Sequence, residues 1–434
     1  MNNLRIFAIS FIVLLSVAMS NSALAHSVKW CGFFRSEFVD RGNEDVHAAY
    51  YNARYARFKL LKKTSSGSYT QLHSGYLGSD GCTPYYPIET NTNYKFKVGS
   101  KLKQTGGRAI YVQPDNTHSK SNSWQYVNYY YNTTYFYGAP PTWKQNFFAS
   151  FRTHQTSAAA VARQLIANYN KLEYPANQKT HVIFNCNFGL GADNTFASPS
   201  HDAVCISTNH EYHGLDHSRY KFCIAHEFGH LMSSYNGGPL NTSYGIKWQT
   251  NSPDPCNCER HSTYKTGCLQ SRGVTGKCQS EAWAWFYGAM MFNYRGSANS
   301  HSDCDMTYWR AAYQTDYYGS TTDWPPWDNS SVVDWKCDAN PRWMERYCLS
   351  GNGYGSSDYS TTIDWTNFFW NVWSNGSQRY TVDQLTDIWD NTPVANNHIG
   401  ERYSDLVSTV NSMFPNYWKR YQFTHKAVAA GVNH

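Results

Sequence analysis

Two histidines four residues apart, with a glutamate directly after the first, are the residues best suited to chemistry in this sequence. They are His226, Glu227 and His230, in the segment His226-Glu227-Phe228-Gly229-His230. Residues four apart lie on one face of a helix, so the two imidazoles can bind one metal ion together. Glu227 would lie beside that ion, where its carboxylate can accept a proton from a metal-activated water. The spacing therefore predicts metal-dependent hydrolysis with Glu227 as the general base.

The segment around these residues is predicted to be a helix. Mostly apolar residues recur at helical spacing, namely Tyr220, Cys223, Ile224, Phe228 and Leu231. Asp216 or Ser218 could cap the N-terminus, and Asn236-Gly237-Gly238-Pro239 should end the helix. Gly229 inside a helix costs up to about 1 kcal/mol relative to Ala, so we expect it to pack closely against a neighbouring element. The alternative is an ordinary amphipathic helix whose two histidines have structural partners.

A third metal ligand is needed, because a catalytic zinc ion usually has three protein ligands and one open position. The glutamates that follow His230 are Glu259, Glu281, Glu345 and Glu401. Glu281 is the predicted third ligand: it opens the apolar run Ser280–Tyr287, which is predicted to be a buried helix, and a carboxylate buried there needs a partner. Glu345, or an aspartate such as Asp303 or Asp305, is the next choice. The alternative for Glu281 is that a glutamate in a first helical turn simply suits the helix dipole.

The order of the predicted elements extends this interpretation. A helix at Thr153–Leu172 and short strands at Thr180–Asn187 and Ala203–Ser207 precede the motif helix. Together with the H-E-x-x-H motif, this order resembles that of the zincin metallopeptidases, over roughly residues 150 to 295. The resemblance implies a Zn²⁺ cofactor and peptide-bond hydrolysis. It also implies a protein or peptide substrate, which could add as a strand at the edge of the sheet ahead of the motif helix.

One branch of the zincins is the closer match. The run Ser280–Tyr287 resembles the third-ligand helix of gluzincins, in which a glutamate and a small residue precede aromatic residues. This resemblance implies that Glu281 completes the metal site. The other main branch has a glycine and a third histidine where this chain has Ser233 and Asn236. The chain departs from many gluzincins at Trp285, where they carry an acidic residue that orients a zinc-bound histidine.

The N-terminus has the pattern of a secretory signal peptide. Met1–Arg5 carries one positive charge, Ile6–Met19 is almost wholly apolar, and Ala23-Leu24-Ala25 is a small-residue cleavage site. The predicted mature chain begins at His26. Because no later stretch is long and apolar enough to span a bilayer, we expect a protein secreted to an extracellular or periplasmic space.

The cysteines support export. All 12 follow the predicted cleavage site, and an even number in an exported chain predicts disulfides. Four of them are predicted to crowd into one loop: Cys256, Cys258, Cys268 and Cys278. Local disulfides are expected there, with a structural zinc site as the alternative, and the spacing leaves the pairing open.

The hydrophobic pattern predicts an α+β protein with two domains after the signal peptide at residues 1–25. Residues 26–140 should form a β-rich, sandwich-like domain, because short alternating runs such as Asn93–Val98 are separated by turn residues. Gly138-Ala139-Pro140-Pro141 marks the boundary. Residues 141–434 should form a mainly helical, zincin-like domain with a small sheet. Its last predicted helices are Thr361–Trp373, Thr381–Trp389 and Glu401–Phe414.

The charge and the aromatic content indicate which classes of partner the chain could bind. The formal net charge is +6, without a dense run of Lys or Arg, so nucleic-acid binding is not indicated. Aromatic residues make up 17% of the chain, which favours a tyrosine-rich surface over dedicated stacking platforms. The oligomeric state is left open.

Some features keep a second interpretation. His210-Glu211-Tyr212-His213 is predicted to be a loop, because its histidines are one residue short of sharing a helical face. His26 could chelate copper as a new N-terminus, but a free polar terminus is favoured. For the whole chain, the alternatives are a secreted binding or adhesion protein with a structural or vestigial metal site, and a non-peptidase hydrolase or oxidase.

Overall fold

The computed structural model shows an α+β protein, with a sheet-rich N-terminal region followed by a helical C-terminal region, as predicted. The structure describes residues 26–40, 45–113, 124–131, 142–149, 153–190, 194–208, 211–212, 215–216, 221–239, 272–292, 359–374, 376–393 and 403–432. The predicted signal peptide lies outside these residues. None of the described helices is long and apolar enough to cross a membrane.

Sixteen strands occur in the described residues. They are β1 (His26–Asp40), β2 (Asp45–Asn52), β3 (Ala56–Lys63), β4 (Tyr69–Tyr76), β5 (Cys82–Ile88), β6 (Thr92–Lys103), β7 (Ala109–Val112), β8 (Trp124–Tyr131), β9 (Thr142–Ala149), β10 (Lys179–Phe184), β11 (Phe196–Ser198), β12 (Ala203–Ile206), β13 (Glu211–Tyr212), β14 (Leu215–Asp216), β15 (Arg272–Val274) and β16 (Tyr359–Thr361). The α-helices are α1 (Thr153–Ala167), α2 (Lys221–Asn236), α3 (Thr275–Phe292), α4 (Thr362–Ser374), α5 (Val382–Asp390), α6 (Tyr403–Met413) and α7 (Tyr417–Ala430).

Two sheets dominate the N-terminal region. One has the order β2-β1-β5, with β9 pairing parallel to β1, and the other has the order β11-β12-β10-β7-β6-β3-β4, with β8 pairing with β6. They pack together through buried aromatic residues. For example, the ring centroid of Trp30 in β1 lies 5.5 Å from that of Phe96 in β6. A disulfide joins Cys31 of β1 to Cys82 of β5.

The larger sheet crosses the predicted boundary at residue 140. Strand β7 pairs in parallel with β10, with Ile110 opposite Thr180 and Val112 opposite Val182. Helix α1 packs on the strands of both sheets, against β1, β6 and β7. The division into domains 26–140 and 141–434 stays a prediction, but the sheet and its core are continuous across it.

The helical region is built around α3. This helix packs between α2 and α4, and α4 packs against α7. Large aromatic side chains fill the contact between α3 and α4: Trp283 lies edge-to-face with Phe369, at 5.3 Å between ring centroids. Burying aromatic rings of this size is a major source of stability for such a core.

Most predicted elements exist, with shifted ends. The first helix ends at Ala167 rather than Leu172, where the Asn168 side chain donates to the carbonyl of Gln164 and satisfies one of the terminal acceptors. Helix α5 begins after Thr381, which forms a capping box with Gln384. The strands predicted at Thr180–Asn187 and Ala203–Ser207 correspond to β10 and β12.

Three of the four cysteines in the predicted loop lie outside the described residues, namely Cys256, Cys258 and Cys268. Cys278 was placed in the loop wrongly, because it is buried within α3, which begins at Thr275. A second disulfide joins Cys186 to Cys205 of β12. Two disulfides in the described part fit the prediction of an exported protein.

Candidate metal centre

The motif residues lie in the middle of α2, as the sequence predicts. The helix ends at Asn236, and Gly237 follows with a φ of +80°, a conformation that glycine adopts without strain. The predicted N-terminal cap is wrong for Asp216, which lies in strand β14, five residues before the first helical residue, Lys221. Ser218 lies outside the described residues.

Gly229 is the point at which α2 meets α3. A Cβ atom on Gly229 would lie 2.7 Å from the Cα of Ala284 and 2.9 Å from the Cβ of Tyr287. Real Cβ atoms do not approach other atoms this closely, so only glycine fits without a shift of backbone. The prediction that Gly229 packs closely against a neighbouring element is confirmed.

This close crossing brings Glu281 to the histidines. Its Oε2 atom lies 3.4 Å from Nε2 of His226 and 3.6 Å from Nε2 of His230. One ligand atom from each of the three residues lies within 4.8 Å of the other two. The three side chains are partly buried, with between 12% and 21% of their surface exposed. Two helices therefore present a group that could hold a metal ion.

The separations suit an ion between the side chains. Bonds of about 2.0 to 2.1 Å to a tetrahedral zinc ion put neighbouring donor atoms about 3.3 Å apart. The distances of 3.4 and 3.6 Å from Glu281 to the two imidazoles are close to that value. They exceed the usual range for a direct N–H···O hydrogen bond. Two imidazoles and one carboxylate are also a donor set that catalytic zinc sites use.

Glu281 lies well inside its helix. The sequence predicted that it opens the helix, but α3 begins six residues earlier, at Thr275, so that prediction is wrong. The alternative role for Glu281, as a first-turn partner of the helix dipole, loses its basis, because that effect is confined to the first turn. Its neighbours in the chain, Ala282 and Trp283, are fully buried, and its own side chain is 21% exposed.

Glu227 lies next to the ligand group without belonging to it. It is on the same turn of α2 as His226, and only 8% of its surface is exposed. The candidate ligands are His226, His230 and Glu281, which leaves the Glu227 carboxylate available as a base. The grouping of His226, His230 and Glu281 agrees with the predicted ligands, and the role of Glu227 as a base stays a prediction.

An indole ring packs against the first histidine of the group. The ring of Trp285 lies edge-to-face with that of His226, at 5.6 Å between centroids, and the rings of His226 and His230 are 4.8 Å apart and nearly perpendicular. In this chain, a packed indole restricts the orientation of the first histidine.

A half-buried carboxyl lies at the far end of α2. The Asn236 side chain donates a hydrogen bond to the backbone carbonyl of Glu173, and Glu173 has a φ of +49°. Burial, with a smaller contribution from the nearby Asp383 carboxylate, raises the pKa of the Glu173 carboxyl to about 7. The sequence contained no signal for this group.

No protein-family model matches this chain, and no curated protein matches it.

The other candidate ligands lie outside the described residues, namely Glu259, Glu345, Glu401, Asp303 and Asp305. So do His210 and His213, although Glu211 and Tyr212 between them form the short strand β13, which agrees with a non-helical segment. The described residues contain one group of three or more possible metal ligands, and it is the group that the sequence singled out.

Proposed function

We propose that this chain is a secreted, zinc-dependent endopeptidase. The observation that carries the proposal is the meeting of His226 and His230 from α2 with Glu281 from α3, beside the buried Glu227. A purely structural metal site does not need a second carboxylate next to its ligands. Glu227 therefore favours hydrolysis over binding alone.

The donor set favours zinc among the common metals. Calcium and magnesium prefer shells made only of oxygen atoms, whereas two imidazoles and one carboxylate suit zinc. Iron(II) oxygenases use a similar set of two histidines and one carboxylate. Oxygen activation does not require a general base directly after the first histidine. The presence of Glu227 therefore favours a zinc hydrolase over an iron oxygenase.

The mechanism assigns each of the four residues one task. His226, His230 and Glu281 would hold the zinc ion. When bound, zinc lowers the pKa of a coordinated water and polarises the carbonyl of the substrate. Glu227 accepts a proton from the attacking water and then transfers it to the leaving amine of the cleaved peptide bond.

The edge of the larger sheet offers a path for the substrate. Strand β11 is the edge strand of the described sheet, it pairs antiparallel with β12, and α2 packs against both. An extended peptide could add to β11 by main-chain hydrogen bonds. The disulfide between Cys186 and Cys205 holds β12 beside this edge. The architecture therefore suits an extended peptide substrate better than a compact, folded one.

A matched pair of variants on α2 tests the proposal. Glu227→Gln removes the base but keeps the shape of the side chain, and Ser234→Ala changes an exposed residue one turn beyond His230. We expect the wild type and both variants to bind about one zinc ion per chain, measured by elemental analysis. Digestion of fluorescent casein should fall at least about 100-fold in Glu227→Gln only, and a chelator should abolish it in the wild type.

The results discriminate between the candidate functions. Full casein digestion by Glu227→Gln would show that Glu227 is not the base and would remove this metal centre as the source of the activity. A zinc-loaded wild type that digests neither casein nor a peptide library would favour the binding or adhesion protein instead.

A further inference from the structure

Helix α7 exposes three large aromatic rings to solvent. The exposed fractions are 59% for Tyr417, 64% for Trp418 and 46% for Tyr421. Between ring centroids, Trp418 is 5.3 Å from Tyr417 and 6.1 Å from Tyr421. The exposed His425 follows Tyr421 by one helical turn, with its ring 5.5 Å away. These four side chains form a continuous row of rings along the helix, which we call the aromatic row.

The aromatic row is not what attaches α7 to the core. The buried residues of this helix are Phe423, Ala427 and Ala430. Phe423 lies edge-to-face with Phe368 of α4, at 5.0 Å between ring centroids. Neighbouring apolar rings that stay exposed, and that the core does not use, mark a surface that contacts another molecule.

An open cavity of about 470 Å³ adjoins the aromatic row. This volume is within the range of about 300 to 1,000 Å³ that is usual for small-molecule sites. Trp418, Tyr421 and His425 line the cavity from α7, and Ser377 and Gln378 line it from the segment between α4 and α5. The cavity therefore has aromatic rings on one side and hydroxyl and amide groups on the other.

The segment between α4 and α5 is fixed against α7. The side chain of Asn416, which caps the N-terminus of α7, donates a hydrogen bond to Oε1 of Gln378 over 3.3 Å. Gly376 has a φ of +89°, and a Cβ atom there would lie 2.6 Å from Nε2 of Gln422 on α7. Because only glycine permits this conformation and this approach without strain, the two walls of the cavity are already in place before a ligand binds.

We propose that this surface binds a polysaccharide, with sugar rings stacked on Trp418 and Tyr421 and sugar hydroxyls bound in the cavity. The C–H groups on the face of a pyranose ring are weakly positive and pack against the negative faces of aromatic rings. Sugar hydroxyls need donors and acceptors, which the Ser377 hydroxyl and the Gln378 amide supply.

The length of the aromatic row favours a polymer over a single sugar. Tyr417 and His425 are eight residues apart, which is about 12 Å along a helix. A row of this length can contact several successive units of an extended chain. The disulfides fit an exported protein, which would meet polysaccharides outside the cytosol.

Two other kinds of partner fit the surface less well. A helix that lies in a membrane interface buries an apolar face, but here hydroxyl and amide groups line the cavity beside the rings. A flat protein partner would leave that cavity unfilled, although protein interfaces pack as densely as protein interiors. The proposal does not depend on the proposed peptidase function, because the two sites share no residue.

Equilibrium binding of the full-length protein to insoluble polysaccharides tests the proposal. The probes are cellulose, chitin, curdlan and mannan, and vesicles of phosphatidylcholine with phosphatidylglycerol serve as the membrane probe. We expect binding to at least one polysaccharide, and little change in affinity as salt is added, because stacking and neutral hydrogen bonds are not screened. Trp418→Ala and Tyr421→Ala should each weaken this binding at least tenfold.

Two further variants separate ring stacking from a general loss of aromatic surface. Tyr85→Ala removes a ring that is 47% exposed on strand β5 and should change the affinity less than twofold. Trp418→Phe keeps an aromatic face and should stay within about threefold of the wild type. The urea unfolding midpoints of Trp418→Ala and Tyr421→Ala should match that of the wild type, because both rings are exposed.

Several outcomes would overturn the proposal. These are binding to none of the four polysaccharides, equal weakening by Tyr85→Ala, and tighter binding to the vesicles than to any polysaccharide. A dimer in analytical ultracentrifugation that Trp418→Ala dissociates would assign the aromatic row to contact between two copies of the chain instead.

Discussion

A Cβ atom on Gly229 would lie 2.7 Å from the Cα of Ala284, so the backbones of α2 and α3 are in direct contact at these two residues. His226 precedes Gly229 by three residues, and Glu281 precedes Ala284 by three residues. The contact therefore lies one helical turn from the candidate ligands on both helices. The separation of the helices at this crossing decides whether the carboxylate reaches the imidazoles.

Substitution of Gly229 by Ala should loosen this crossing. Alanine favours the helix by up to about 1 kcal/mol, but its methyl group would collide with backbone, and overpacking of this kind typically costs about 1 to 3 kcal/mol. We expect a lower free energy of unfolding in urea and weaker zinc binding. Ser234→Ala, on the exposed side of the same helix, is the control, with an expected change within about 0.5 kcal/mol. Unchanged stability and zinc affinity in Gly229→Ala would contradict the close contact.

Glu281→Gln should weaken metal binding while leaving the fold intact. The amide keeps the size of the side chain but removes the negative charge that a divalent ion requires. We expect zinc affinity to fall by at least about 100-fold, since even the loss of a partner behind a ligand costs 10- to 100-fold. Competition with a chromophoric chelator measures the affinity. Glu89→Gln, an exposed glutamate paired with Lys62, is the control. A native zinc affinity in Glu281→Gln would remove this residue from the ligand set.

The disulfide between Cys186 and Cys205 should stabilise the end of the sheet next to α2. It closes a loop of 19 residues, for which the chain-entropy contribution is about 3 kcal/mol. Replacement of both cysteines by Ser should lower the free energy of unfolding by about 2 to 4 kcal/mol in guanidinium titrations. The effect should persist with zinc removed, because neither cysteine is a candidate ligand. A loss seen only in the presence of zinc would show that the disulfide acts through the metal site.

The candidate site was predictable because its signals are local. The spacing of His226 and His230 puts both imidazoles on one face of a helix. The glycine at 229 indicates a close contact between helices, and the carboxylate at 281 in an apolar run indicates a buried group that needs a partner. Helix α5 was predictable for the same reason, since Thr381 and its capping box mark the N-terminus. The start of α3 was missed because residues 275–279 are mostly polar and include a glycine, which weakens the helical pattern.

Features that depend on distant residues were not predictable. Strand β7 pairs in parallel with β10 about 70 residues later, and parallel pairing leaves no turn signature between the strands. Helix α7 was missed because it has few buried residues, namely Phe423, Ala427 and Ala430, and is otherwise polar and aromatic.

The Glu173 carboxyl should make stability depend on pH. Its pKa is about 7 in the folded protein, because of burial and the nearby Asp383, compared with 4.5 for an ordinary glutamate. Between pH 4.5 and pH 7 the unfolded chain loses this proton while the folded chain keeps it, so unfolding releases a proton and stability falls as the pH rises. Glu173→Gln removes this titration. After allowance for solvent screening, we expect the variant to be more stable than the wild type by about 1 to 2 kcal/mol at pH 8 and equally stable at pH 4. Urea unfolding at both pH values measures the difference, with Glu89→Gln as the exposed control. A variant that is less stable than the wild type at pH 8 would show that the ionised carboxylate contributes favourably, contrary to the raised pKa.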